Sequence, residues 1–241
     1  MFRRPLLLLA AASSFVLTST AGGGDAVSAQ AGAVIADWRM DEPGGARTLV
    51  DAGGAGMHGS LGSSVTPGVR QGSDVVHRFA PIGTSARPDP GRLHVVTDRA
   101  GLDPGSGAFS VSVRFRTTTA ARNIVQKGQS GAAGGMWKVE VDDDGRAVCL
   151  FRGAEGSSAV RSSQRVTDGA WHLLRCERST TGAVLALDGA VQDRRSNRSG
   201  AIANSWDLTI GGKPSCNNTS VECDYFVGDI DFVKLDRQLV K

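Results

Sequence analysis

The chain has 241 residues, 32 of them glycine, with 40% hydrophobic and 5% aromatic residues and a formal charge of +3. That charge is too small and too evenly spread to point to nucleic acid. No segment keeps the i, i+3, i+4, i+7 apolar spacing of a long amphipathic helix, and the glycine content suits a chain with many tight turns.

The N-terminus reads as a targeting segment. Arg3 and Arg4 are followed by an apolar run from Leu6 to about Leu17, then by small polar residues up to Gln30. Val27-Ser28-Ala29 and Ala29-Gln30-Ala31 carry the small residues that signal peptidase requires. The apolar run is about half of the roughly 20 residues that a bilayer span needs. No cysteine follows it to carry a lipid. We therefore expect residues 1–31 to be a secretory signal peptide, cleaved near 29–31. Residues 32–241 are then one exported domain with no membrane insertion after cleavage.

Beyond Val34 the chain alternates short apolar runs with Gly, Asp, Ser and Pro clusters. Weak strands are expected at 34–40, 75–79, 93–96 and 124–127. The clearest strand is 109–116, where Phe109, Val111, Val113 and Phe115 share one face and Ser110, Ser112, Arg114 and Arg116 the other. Residues 136–141 lead into Asp142-Asp143-Asp144-Gly145 and return over 146–151. Residues 183–187 lead into Asp188-Gly189 and return over 190–193. Asp-Gly tolerates the positive φ of a tight hairpin turn. Strands at 171–178, 208–210 and 226–235 complete the set. Many short strands at regular spacing predict two packed antiparallel sheets in an all-β sandwich. Trp38 and Trp171 are expected in the core.

Export also suits the four cysteines. Four cysteines allow three pairings, which sequence alone does not separate. Cys149 with Cys176 and Cys216 with Cys223 each close a local loop, and this is the preferred arrangement. Zinc is the alternative, but no spacing matches a C-x₂₋₄-C finger and an oxidising compartment favours disulfides. His58, His77, His94 and His172 are scattered. There is no Gly-x-Ser-x-Gly elbow and no nucleotide-binding glycine motif.

The order of several short motifs resembles the laminin-G-like jelly roll of the concanavalin A-like lectin and glucanase superfamily. These are Trp38-Arg39-Met40-Asp41-Glu42, then Asp51 and the glycines reaching Gly59, Phe109 to Val113, Asp168-Gly169-Ala170-Trp171-His172, Leu187-Asp188-Gly189, and Phe226 to Val233 with Arg237 and Leu239. The resemblance implies a two-sheet jelly roll from about Val34 to the end. It also implies a calcium ion near the joined N- and C-terminal segments, with Asp51 and Asp231 as ligand candidates. The competing reading has Asp51 capping a turn and Asp231 facing solvent or an arginine.

Glucanases of that superfamily carry alternating acids on one strand. Glu140, Asp142 and Asp144 alternate here, but they run straight into Gly145, as a hairpin tip does, and the last Glu is missing. The polar loop Asn217-Asn218-Thr219-Ser220, clipped by Cys216 and Cys223 and followed by Asp224 and Tyr225, is the most site-like surface. The expected function is an exported binding module for an extracellular glycan or a surface protein. The alternatives are a structural or accessory domain without a ligand and, third, a glycoside hydrolase.

Overall fold

The computed structural model describes residues 33–81, 89–213 and 224–237. Its strands are β1 (Ala33–Trp38), β2 (Thr48–Leu49), β3 (Gly59–Ser60), β4 (Val65–Gln71), β5 (Asp74–Phe79), β6 (His94–Val96), β7 (Phe109–Arg116) and β8 (Arg122–Lys127). They continue as β9 (Met136–Val141), β10 (Arg146–Gly153), β11 (Gly156–Arg165), β12 (His172–Arg178), β13 (Ala183–Leu187), β14 (Ala190–Arg195), β15 (Leu208–Ile210) and β16 (Gly228–Arg237). The first sheet runs β14-β13-β12-β7-β16-β5-β4, with β1 on the C-terminal half of β16. The second runs β11-β10-β9-β8-β15-β6-β3-β2. This is the expected all-β jelly-roll sandwich.

The period-two pattern of β7 decides its register. Phe109, Val111, Val113 and Phe115 are buried, while Arg114 and Arg116 stay partly exposed on the other face. Each buried Val or Phe contributes about 1.5–3 kcal/mol, so a one-residue slip is strongly disfavoured. At Gly228, where β16 begins, φ is 141° and an added Cβ would lie 2.2 Å from the Arg116 carbonyl oxygen. This is the close approach that a glycine before the last strand suggests.

Two cross-links join the sheets inside the core. Cys149 on β10 is bonded to Cys176 on β12, as preferred from the sequence. Away from that bond, His77 Nδ1 on β5 meets His94 Nε2 on β6 at 2.9 Å. The Cys216–Cys223 pairing lies outside the described residues.

One tryptophan departs from the core position expected of it. Trp137 is fully buried with its ring 5.2 Å from Phe109, and Trp38 is buried as expected. Trp171 precedes β12 instead of lying within it and is only partly buried. The Arg114 and Arg116 guanidiniums sit 4.7 and 5.2 Å from its ring centre. Asp168 turns the chain there by accepting the Ala170 N–H, and the ring follows the cations on the outer face of the first sheet.

Strand β11 escapes the sequence pattern because its inward residues are Ser158, Val160 and Ser162, which are small or polar. It is an edge strand. The Arg161 N–H donates to Asp193 and the Ser163 N–H to Gln192, both on β14. Donors that could template another strand are thereby occupied.

Candidate functional site

Strand pairing builds a polar grid on the outer face of the second sheet. Asn123 stands opposite Glu140, and Gln126 opposite Lys138, across β8 and β9. Thr209 on β15 stands beside Gln126. All five point away from the core, because their neighbours Val125, Val139, Leu208 and Ile210 fill it. Even so, Asn123, Gln126 and Thr209 are at most 1% exposed. Outward side chains this hidden lie on the floor of a face that neighbouring segments overhang.

The floor is lined by amides. Asn123 Nδ2 donates to Gln126 Oε1 at 2.7 Å. Gln126 Nε2 donates to the Gly128 carbonyl at 2.7 Å and to Gln129 Oε1 at 3.0 Å. Among the described residues Asn123 Oδ1 is buried without a hydrogen-bond partner. Beside the row, Lys138 pairs with Glu140. Past Gln129 the face opens into a hollow of about 370 Å³ lined by Gln129, Gly131, Gly134, Gly135 and Arg152, among others. That size falls within the roughly 300–1,000 Å³ of small-ligand clefts.

A larger hollow, of about 580 Å³, lies on the first sheet among Asp37, Arg39, Asp41, Asp74, Asp231 and Lys234. Its acids are largely committed to cations. Asp231 and Asp74 share Arg114 at 2.7 and 3.0 Å, and Asp37 holds Arg39. A neutral ligand would have to desolvate these charges, so the amide grid is the better site for uncharged hydroxyl groups.

The predicted loop is partly placed. Asn217 and Asn218 lie outside the described residues. The stem residues Lys213 and Asp224 form an ion pair, and the Asp224 carbonyl accepts the Asn123 N–H at 2.8 Å. The loop therefore leaves from the edge of the amide grid. Tyr225 is buried against Leu93 and Val95, its hydroxyl accepts the Asp89 N–H, and burial raises its pKa.

The two calcium candidates are otherwise engaged. Asp51 Oδ1 accepts the Asp37 and Gly53 N–H groups, and Oδ2 the Met57 N–H, at 2.8–2.9 Å. Burial pushes the Asp51 pKa up, but these three donors outweigh it and hold the carboxyl below its usual range. Asp231 is raised by burial, partly offset by Arg114. Both Asp51 oxygens are taken by N–H groups and Asp231 Oδ2 by Arg114, so the two carboxylates are held by other partners. Among the described residues no three His, Cys, Asp or Glu side chains converge on one point.

The alternating acids do form a hairpin tip. Asp142 and Asp144 both hold Arg161, and Asp142 also caps the turn by accepting the Asp144 and Arg146 N–H groups. Glu140 faces Asn123 and Val148 across its neighbouring strands, not a second carboxylate.

Comparison with known proteins agrees with this architecture. No curated protein matches the chain. The binding domain of Paraclostridial Mosquitocidal Protein 1 is similar in structure, with a TM-score of 0.62 at 12% identity; the match covers 86% of this chain but 49% of that one. A botulinum neurotoxin type C structure, described by the dependence of cell entry on two ganglioside molecules, matches with a TM-score of 0.62 at 13% identity, over 87% of this chain and 49% of that one. Domain 4 of an extracellular arabinanase from Geobacillus stearothermophilus, solved with arabinotriose, gives 0.61 at 14% identity, over 88% and 95% of the two chains. A laminin G family model, described as concanavalin A-like lectin/glucanases superfamily, matches residues 90–239, well over half of the sequence. The chain belongs to the laminin-G-like family of the concanavalin A-like lectin/glucanases superfamily.

Proposed function

We propose that the chain is an exported recognition module that binds carbohydrate on the outer face of its second sheet, without catalysis. The observation that carries this reading is the hollow beside Gln129 and Arg152, set at the end of the buried amide row Asn123–Gln126–Gln129. The buried Asn123 and Gln126 amides position Gln129 at the mouth of the hollow, where an uncharged amide can meet sugar hydroxyls with no charge to desolvate. The arabinotriose and ganglioside named for two structural neighbours support a carbohydrate as the ligand class. Export is supported by the signal-like residues 1–31 and by the oxidised Cys149–Cys176 pair.

A non-catalytic role is supported by the hairpin-tip acids. Retaining and inverting hydrolysis both need two carboxyl groups facing the glycosidic bond, whereas Asp142 and Asp144 are spent on Arg161. The test is a glycan array of neutral and acidic polysaccharides, run beside a hydrolysis screen on the same compounds. Binding without turnover is the expected result. Turnover lost in Glu140→Gln would indicate a glycosidase, and silence in both assays would favour an accessory domain or a protein ligand.

A further inference from the structure

Asp229 stands directly opposite Arg78 on β5 and Arg116 on β7, so the register of three neighbouring strands sets one carboxylate between two guanidiniums. Arg78 Nε donates to Asp229 Oδ1 at 2.8 Å and Nη2 to Oδ2 at 3.1 Å. Arg116 Nε and Nη2 both donate to Oδ2, at 2.9 and 2.7 Å. The carboxylate is almost fully buried, whereas the Arg78 and Arg116 side chains remain 45% and 31% exposed. Burial raises the Asp229 pKa, but the two guanidiniums outweigh it and hold the carboxyl below its usual range.

Asp229 is therefore ionised, and two guanidiniums against one carboxylate leave a net positive charge. The cluster around Arg114 has the opposite balance, because Asp74 and Asp231 share that one cation. A guanidinium has five N–H donors, and the Nη1 groups of Arg78 and Arg116 have no partner among the described residues. Both arginines line a hollow of about 310 Å³, with Thr118, Gly169 and Gly228 among its other walls. Trp171 stacks on Arg116, its ring centre 5.2 Å from the guanidinium carbon, and restricts how that plane can turn. One buried acid thus holds both guanidiniums from behind and leaves their remaining N–H groups for a ligand in the hollow.

We propose that this hollow is an anion site for a phosphodiester, separate from the carbohydrate face on the second sheet. One negative charge balances the cluster. A phosphodiester carries that charge on two non-bridging oxygens, one for each guanidinium, and arginine N–H groups match phosphate geometry. A carboxylate would be satisfied by a single guanidinium fork. A sulfate ester spreads its charge over three oxygens and is the weaker acceptor. Soluble polyol phosphates and phospholipid headgroups both present the phosphodiester group.

The test uses the full chain as wild type, Arg78→Gln, Arg116→Gln and Arg194→Gln, the last removing the same charge from β14. Isothermal titration with a poly(glycerol phosphate) oligomer and co-sedimentation with phosphatidylglycerol vesicles separate the two sources, and dextran sulfate is the competing polyanion. At least one phosphate probe should bind, more weakly as salt is added. Its affinity should fall about tenfold in Arg78→Gln and in Arg116→Gln and stay at the wild-type value in Arg194→Gln. Binding of the oligomer assigns a soluble polymer, and binding of the vesicles alone assigns a headgroup. If circular dichroism shows Arg116→Gln unfolded, Arg78→Gln decides, since Arg78 is the more exposed of the two. The site is overturned if neither phosphate probe binds, or if all three variants lose affinity equally. Dextran sulfate bound as tightly as the phosphate probes also overturns it.

Discussion

His77 Nδ1 and His94 Nε2 share a hydrogen bond of 2.9 Å that crosses the sandwich from one sheet to the other. The Gly62 N–H donates to His94 Nδ1, so His94 Nε2 carries the proton that bridges to His77 Nδ1. His77 Nε2 then faces Glu42 Oε2 at 2.9 Å, and Glu42 Oε1 accepts the Val50 N–H at 2.6 Å. Burial keeps the His94 ring neutral, and the path ends on the buried Glu42 carboxylate. A polar chain this deep stabilises only while it stays complete.

Acid should break it. Burial first, and then the neighbouring His77, hold the His94 pKa well below 6.5. Burial raises the Glu42 pKa, but hydrogen bonds from His77 and Val50 outweigh it, and the net shift is downward. Both folded values are depressed, so the unfolded chain binds more protons in acid. The His94 contribution is complete above about pH 6.5 and is lost as pH falls toward the depressed folded value; Glu42 adds its loss below about 4.5. Urea melts from pH 8 to pH 5 should show stability level at first, then falling by up to about 1.4 kcal/mol per pH unit for each proton. His94→Gln should cost about 1–3 kcal/mol at pH 8 and flatten the slope. Unchanged stability down to pH 5 in the wild type would contradict this assignment.

The inter-sheet disulfide is open to a separate test. Cys149 and Cys176 are 27 residues apart, and closing that loop is worth about 3–4 kcal/mol through the unfolded state. The Cys149→Ala/Cys176→Ala double variant should unfold at correspondingly lower urea, with the sandwich unchanged by circular dichroism. Peptide mapping of exported protein should find this pair and, by the expectation from sequence, Cys216 with Cys223. A crossed pairing would refute the second bond alone.

Asp51 should behave as a turn-holding carboxylate. Asp51→Ala strands the N–H groups of Asp37, Gly53 and Met57, and bonds to a charged acceptor are worth about 1.5–3 kcal/mol each before relaxation. We expect a loss of about 2–4 kcal/mol, equal in EDTA and in CaCl₂. A loss that appears only in calcium buffer would restore Asp51 as a metal ligand.

How much of this was legible depends on what each residue does. The β7 alternation and the Asp-Gly hairpins at Gly145 and Gly189 carry their conformations locally, and those elements form as read. Strand β11 was hidden because edge strands can bury serine. Trp171 was misplaced because its partners, Arg114 and Arg116, lie on a strand more than fifty residues away in sequence. The amide grid was invisible for a similar reason. Asn123 and Gln126 sit in an unremarkable run, and a register shift between Asn123 and Val125 turns both to the same outer face. A bulge leaves no signature in apolar periodicity. Nor does Asp229, whose two arginines come from strands that only the fold brings together.

The most direct measurement of the proposed recognition face is a titration of the best array ligand against variants on opposite sheets. Lys138→Ala and Glu140→Ala change the rim of the amide grid, while Arg114→Ala and Arg175→Ala change the outer face of the first sheet. We predict that isothermal titration shows at least a tenfold loss of affinity, about 1.4 kcal/mol, for the first pair and wild-type binding for the second. Binding lost in the Arg114 and Arg175 variants, and kept in the Lys138 and Glu140 variants, would put the ligand on the other sheet and contradict the account.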